Sequence, residues 1–263
     1  MKINNYLKEK KLLIDQALDY YLPSSKKRPK SLHQAMRYSI FSGGKRLRPL
    51  LVLIATEICA GKIKRAMPLA CGLEMIHTYS LIHDDLPAMD NSDFRRGKKS
   101  CHKRFGEATA ILAGDALLTL AFEILARTKN HQIITEVSQA IGSEGMVAGQ
   151  IADLQYQGKS PNRKIVRYIR EHKTGNLIAV SLKTGGILAR ANEKRIKHLT
   201  EFGKSFGITF QIYDDLKDRE LKGEENIALT QIETLKKRME KEASLLGKKG
   251  EILKELTDYI FRI

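Results

Sequence analysis

Residues 73–90 read LEMIHTYSLIHDDLPAMD: an apolar helical run, Leu73 to Ile82, that ends in paired aspartates, Asp84 and Asp85, with Asp90 beyond a proline. The pattern recurs at 202–218, FGKSFGITFQIYDDLKD, where Phe202 to Ile212 lead into Asp214, Asp215 and Asp218. Outward from these two segments the apolar period of 3.6 predicts helices at about 31–41, 47–60, 64–86, 107–128, 132–156, 162–190, 193–217, 225–246 and 250–262. Leu7, Leu12, Leu13, Ala17 and Tyr21 open an earlier helix, and a basic linker, Ser24 to Lys30, follows it. Turn residues such as Gly43-Gly44, Gly61, Pro87, Gly97, Gly106 and Gly247 punctuate the pattern, and no strand run stands out. Ile111–Ala126 and Leu177–Ala189 are apolar on more than one face, as central bundle helices are. The expectation is an all-α bundle of about ten helices, one domain over 1–263.

Composition narrows the function classes. With 42% hydrophobic and 29% charged residues, the chain is ordinary globular protein, and six prolines leave room for long helices. Ile111–Ala126 carries Asp115 and Glu123 and falls short of a membrane span, so no integral membrane segment is expected. The first residues, MKINNYLKEKKLLIDQ, lack the apolar core of a secretory signal. Cys59, Cys71 and Cys101 match neither a disulfide framework nor a zinc pattern, which points to reduced thiols and a cytoplasmic protein. The net charge is +16, and nearly all of it precedes residue 219. Such a balance suits an anionic partner: nucleic acid, membrane surface or a phosphorylated substrate. A nucleic-acid binder would leave both aspartate clusters unexplained, and no nucleic-acid motif is present, so no nucleic-acid partner is expected.

The aspartates call for a cation. Asp214 and Asp218 are four apart on one helical face, where two carboxylates about 6 Å apart repel by roughly 3 kcal/mol. In the first cluster Pro87 interrupts the helix, so the chain should bulge and return Asp90 toward Asp84 and Asp85. Carboxylate clusters without His or Cys ligand pairs suit magnesium, whose shell is commonly completed by water and substrate phosphates. Cations answer them. GGKRLRP at 43–49 sets Lys45 and Arg48 beside Gly44, where glycine lets backbone amides approach an anion. Arg95 and Arg96 follow the first cluster closely, and His77 shares a helical face with Asp84 two turns earlier. Lys173 and Thr174 interrupt the helical pattern of 164–188 with side chains suited to phosphate oxygens.

These stretches, with CHKRFGEATAILAGDALLTLAFEIL (101–125), GQIADL (149–154), HKTG (172–175) and LTDYIFR (256–262), resemble the trans-isoprenyl diphosphate synthases, most of all the bacterial farnesyl diphosphate synthases. The resemblance implies an all-α fold around a deep central cavity, a homodimer, and about three magnesium ions on the allylic diphosphate. By the family pattern Asp84, Asp85, Asp90, Asp214 and Asp218 face the metals, and Asp215 completes its motif. Gly44, Lys45, Arg48, His77 and Arg96 resemble the isopentenyl diphosphate site. Arg95, Lys173, Thr174 and Gln211 resemble contacts to the allylic substrate. The implied activity is head-to-tail condensation of isopentenyl diphosphate with dimethylallyl or geranyl diphosphate, through an allylic carbocation. In this family the residues four and five before the first aspartate, here Ser80 and Tyr79, help form the pocket floor. A bulky Tyr79 together with Pro87-Ala88 resembles enzymes that stop at fifteen carbons, with the geranylgeranyl product as the alternative. Asp115, Gln150 and Asp153 match the pattern in positions that suit polar packing within the bundle.

One departure stands out. After Asp218 the family carries a lysine- and glycine-rich loop, whereas here RELKGEEN runs directly into the next helix, and more than ten residues are missing. Lys222 lies off the family spacing, and Ser92 stands where aspartate is commoner. The short loop makes a weakly active or non-catalytic prenyl-diphosphate-binding paralogue the competing reading.

Overall fold

The computed structural model describes residues 3–159, 161–217 and 223–261. It is helical almost throughout. The helices are α1 (Ile3–Tyr21), α2 (Lys30–Ile40), α3 (Leu47–Ile58), α4 (Ile63–Asp84), α5 (Cys101–Phe105), α6 (Glu107–Ala126) and α7 (His131–Ile141). There follow α8 (Met146–Tyr156), α9 (Arg163–Ile169), α10 (Asn176–Leu188), α11 (Glu193–Lys217), α12 (Glu225–Leu245) and α13 (Glu251–Ile260). A two-residue antiparallel pair, β1 (Phe94–Arg95) and β2 (Lys98–Lys99), aligns Phe94 with Lys99.

The residues form two compact units. One comprises Met1–Tyr6, Leu51–Ala66 and Asn130–Ile263; the other comprises Leu7–Leu50 and Met67–Lys129. In the second unit, Ile14, Leu18, Ile40, Leu69 and Leu73 are fully buried. Gly72 lets α4 lie against α6, since a Cβ there would sit 3.0 Å from the Leu125 side chain. In the first unit α10 and α11 pack along their length, with Phe202 and Phe206 fully buried. Phe261 closes that core, its ring 4.9 Å from Phe206. Gly185 brings α10 against α3, where an added Cβ would meet the Val52 carbonyl at 2.6 Å. Local chemistry fixes the helix starts: the Asn162 side chain accepts from the amides of Lys164 and Ile165 at 3.0 and 3.1 Å, and Asn192 accepts from Arg195 at 2.9 Å.

Three details differ from the sequence pattern. The helix expected over 132–156 is two, α7 and α8, parted at Gly142 to Gly145. At Gly145 a Cβ would lie 2.2 Å from the Ala140 carbonyl, so the chain turns where the apolar spacing alone would carry a helix onward. The strand pair and the short α5 were not apparent in the sequence, because elements this short leave no periodic signal. Finally, α6 starts at Glu107 as expected, but over its full length it is long and apolar enough to span a membrane by length and composition, where the Ile111–Ala126 run alone falls short. It carries Glu107, Asp115 and Glu123, it packs on α2 and α5, and Leu117, Ala121 and Leu125 are among its buried residues.

Candidate active site

In the second unit α4 delivers most of the polar groups from its last three turns. It stops at Asp84, and the chain folds back: the Asp90 amide donates to the Asp84 carbonyl at 2.9 Å, and the Ser92 amide to the Asp85 carbonyl at 3.1 Å. The expected bulge at Pro87 and the return of Asp90 are therefore present. Asp85 is 2% exposed and accepts from the Arg95 Nε at 3.0 Å. Burial pushes the Asp85 carboxyl up, Arg95 pulls against that, and Asp90 adds to the rise. Around Arg95 burial works against the charge, yet Asp85, Asp84 and Asp90 together hold the guanidinium above its ordinary value. One cation thus stands among all three carboxylates.

Beside them lies a group of cations. Arg46 is 3% exposed and structural: it donates to Asp15 at 2.7 Å, to Glu74 at 2.8 Å and to the Ile40 carbonyl at 2.8 Å. Arg48 is different. Its Nε is buried without a hydrogen-bond partner, and burial, opposed by Glu74 and reinforced by Arg96, brings the guanidinium down to about 10. Arg96 donates to the Gly43 carbonyl and passes so close to Gly44 that a Cβ there would lie 2.6 Å from Nη1. Gly44 also holds φ +121°, a conformation that favours glycine. Lys45 is exposed next to it. Burial pushes the His77 imidazole well below its ordinary value, and Arg48, Arg96, Arg95 and Arg46 push the same way. His77 is therefore neutral at pH 7, and its ring is free to donate one hydrogen bond. Buried Tyr79 sets its ring edge-on to His83 at 5.7 Å, and the Ser80 hydroxyl donates to the His77 carbonyl at 3.0 Å. Burial and then Asp84 raise the Tyr79 phenol to about 12.

In the first unit the interruption around Lys173 is a turn of π-helix, Arg170–Gly175, between α9 and α10. Such turns insert a residue and redirect side chains, and they are frequent at functional sites. Lys173 donates from Nζ to Asp153 at 2.6 Å. The Thr174 hydroxyl donates to Gln211 Oε1 at 2.9 Å, and Gln211 Nε2 donates to Asp215 at 2.7 Å. Asp215 also takes Arg170, whose Nη2 lies at 2.7 Å and Nε at 3.1 Å. Asp215 is thus fully engaged with protein, while half-buried Asp214 stands one residue earlier on α11. Asp218 lies outside the described residues, as does Lys222.

The structure thus brings Asp84, Asp85, Asp90, Arg48, His77, Arg95 and Arg96 together in one unit, and Lys173, Thr174, Gln211 and Asp215 in the other. Among the described residues no three Asp, Glu, His or Cys side chains converge as a finished metal cage. The oxygen-only set gathered around Arg95 nevertheless has the donor chemistry of a hard cation. Sequence reasoning missed three partners: Glu74, which balances the arginines, Arg170, which holds Asp215, and Asp153, which holds Lys173. Asp153 was placed among packing groups; the other two lie 28 and 45 residues from their partners, with no local spacing to flag them.

Comparison with known proteins gives concordant results. The polyprenyl synthetase family matches residues 29–227. Farnesyl diphosphate synthase of Geobacillus stearothermophilus is 43% identical over 228 residues, covering 84% of this chain and 76% of that one. Geranylgeranyl diphosphate synthase of Cyanophora paradoxa is 43% identical over 221 residues, covering 81% and 73%. The apo structure of an FPP/GFPP synthase from Zymomonas mobilis superposes with a TM-score of 0.91 at 35% identity, covering 98% of each chain.

Proposed function

The chain belongs to the polyprenyl synthetase family, and we propose that it is a trans-prenyltransferase that condenses isopentenyl diphosphate with dimethylallyl and geranyl diphosphate to farnesyl diphosphate. The observation that carries this reading is the orphaned, buried Arg48 Nε among Arg96, Arg95 and neutral His77. Buried cations lacking a partner are costly unless a ligand completes them. A diphosphate does so, and arginine's fork suits its oxygens.

In this reading Gly44, Lys45, Arg48, His77 and Arg96 seat the isopentenyl diphosphate, and Arg95, Lys173, Thr174 and Gln211 contact the allylic diphosphate. Asp84, Asp85, Asp90, Asp214 and Asp218 hold magnesium; Asp215 positions Gln211. Bound magnesium supplies charge neutralisation to the departing diphosphate. The fixed cations of the chain add to that stabilisation as the allylic bond ionises. The isopentenyl double bond then attacks the allylic carbon, and the departing diphosphate accepts the proton, so no protein base is required. The apolar helices exclude the water that would quench the cation. Tyr79, buried one helical turn before His83, serves as the floor that limits the chain to fifteen carbons, with Ser80 beside it. A geranylgeranyl product is the second reading, favoured by relatives of that activity at the same 43% identity. The family match crosses both units, which supports one synthase domain over 1–263. A cytoplasmic homodimer, with the exposed Ile111 and Leu112 of α6 at its interface, completes the proposal.

The test is turnover of labelled isopentenyl diphosphate with either primer in magnesium, with products separated by length and EDTA as control. A fifteen-carbon product is expected, lost in EDTA. A twenty-carbon product would keep the enzyme and remove Tyr79 as the floor. No product from folded protein would establish the non-catalytic paralogue.

A further inference from the structure

The first unit carries a second feature that the reaction does not use: a cleft open to solvent, of about 1150 Å³, lined by α9 with the π turn, by α11 and by α12. Lys173, Thr174, Gln211 and Asp214 do not line it. Its volume exceeds what a small organic ligand needs.

Its lining is amphiphilic. Val166, Ile208, Ile227 and Leu235 supply apolar surface, and Ile227 is 47% exposed. Arg163, Arg167, Arg170, Lys204 and Arg238 supply positive charge against three glutamates, Glu171, Glu201 and Glu224. Those glutamates are partly committed. Arg167 pairs with Glu171 at 2.7 Å, while Glu201 takes both Lys204, at 2.9 Å, and Arg238. The cavity keeps an excess of cations. Ser205 adds an unmet polar group: the residue is 1% exposed, it lines the cavity, and its hydroxyl has no partner. Its helical neighbours differ, since Thr200 and Thr209 each donate back to the carbonyl four residues earlier at 2.8 Å.

We propose that this cavity is a second binding site that takes an anionic amphiphile, with a phosphate or diphosphate head on Arg163 and Arg167 and a short apolar tail along Val166, Ile208 and Leu235. The site has a direct connection to the second aspartate motif. Arg170, one helical turn beyond Arg167, lines the cavity and holds Asp215 by two hydrogen bonds, so the cavity wall and the second aspartate motif share a residue. The binding claim stands apart from the reaction assigned above, since it needs no turnover.

The test is calorimetric titration of dodecyl phosphate into the intact protein in EDTA, below the micelle concentration. Two variants accompany it: Arg163→Glu/Arg167→Glu, which reverses the proposed head contacts, and Gln231→Trp, which fills the cavity from an exposed position on α12. Thermal melting checks that both fold. Binding to the unmodified protein, weakened at least about tenfold by each variant, is expected, with dodecyltrimethylammonium failing to bind. No binding, or binding that neither variant changes, overturns the proposal. Farnesyl diphosphate in the same titrations separates the sources. If its variant-sensitive binding is the tighter, the occupant is a prenyl diphosphate; if dodecyl phosphate is tighter, it is a lipid phosphate.

Discussion

Gly149 lies so close to Lys173 that a Cβ on the glycine would fall 2.2 Å from the lysine's backbone nitrogen. Helix α8 therefore presses bare backbone against the π turn, and Gly207 of α11 does the same to Gly175, with a Cβ gap of 2.7 Å. The position of Lys173 and Thr174 thus depends on residues that have no side chain. Gly149→Ala should cost about 1–3 kcal/mol of stability by overpacking. It should also lower kcat by more than Lys45 substitution of equal stability cost, because the whole turn shifts. Urea unfolding alongside steady-state kinetics tests this; a destabilised variant with full kcat would show that the turn's placement is immaterial.

Arg46 and Arg48 are two residues apart and should respond in opposite ways. Arg46→Met strips the buried Glu74 and the half-buried Asp15 of their partner and should destabilise the fold by about 3–5 kcal/mol. Arg48→Met removes a cation whose Nε has no partner, so stability should hold or rise while KM for isopentenyl diphosphate climbs by about tenfold or more. Equal losses of stability in the two variants would contradict the division of roles.

His77 should make the fold acid-sensitive. Its imidazole is held well below the ordinary 6.5 in the folded chain, so the unfolded chain binds a proton that the folded chain refuses. Stability from this group is complete above the unfolded value and is lost as pH falls through 6.5 toward the folded one. Relative to His77→Gln, the unmodified protein should therefore lose melting temperature as pH drops from about 7.5 to about 5.5. A gap between the two that stays constant with pH would refute the depressed imidazole.

Tyr79→Ala should lengthen the product toward twenty carbons while leaving diphosphate affinity near normal, since Tyr79 touches no group assigned to either head. Chromatography of the product mixture decides it, and an unchanged fifteen-carbon product would place the floor elsewhere.

Much of this was legible in the sequence because it is local. The apolar period located α11 to the residue, Pro87 foretold the fold-back that joins the Asp90 amide to the Asp84 carbonyl, and Lys173-Thr174-Gly175 marked the π turn. What was hidden depends on partners far along the chain. Arg46 read as one more cation beside two glycines, and only its meeting with Asp15 and Glu74 reveals a structural ion pair. Arg170 carried no signal at all, because its significance arises from Asp215 45 residues later. The break between α7 and α8 was visible in Gly142 and Gly145, but the apolar spacing of Ile133, Val137 and Ile141 outweighed it.

The π turn also acts as a phase device between chemistry and core. An ordinary helix advances about 100° per residue, so excising one residue from Arg170–Gly175 would rotate all of α10 by that amount. Gly185 would swing away from Val52, and a bulkier neighbour would take its place where only 2.6 Å is available to a Cβ. The extra residue that presents Lys173 and Thr174 is therefore locked in by the packing that follows it. A lineage that lost the reaction could change those two side chains freely, but it could not discard the turn without rebuilding the interior of α10.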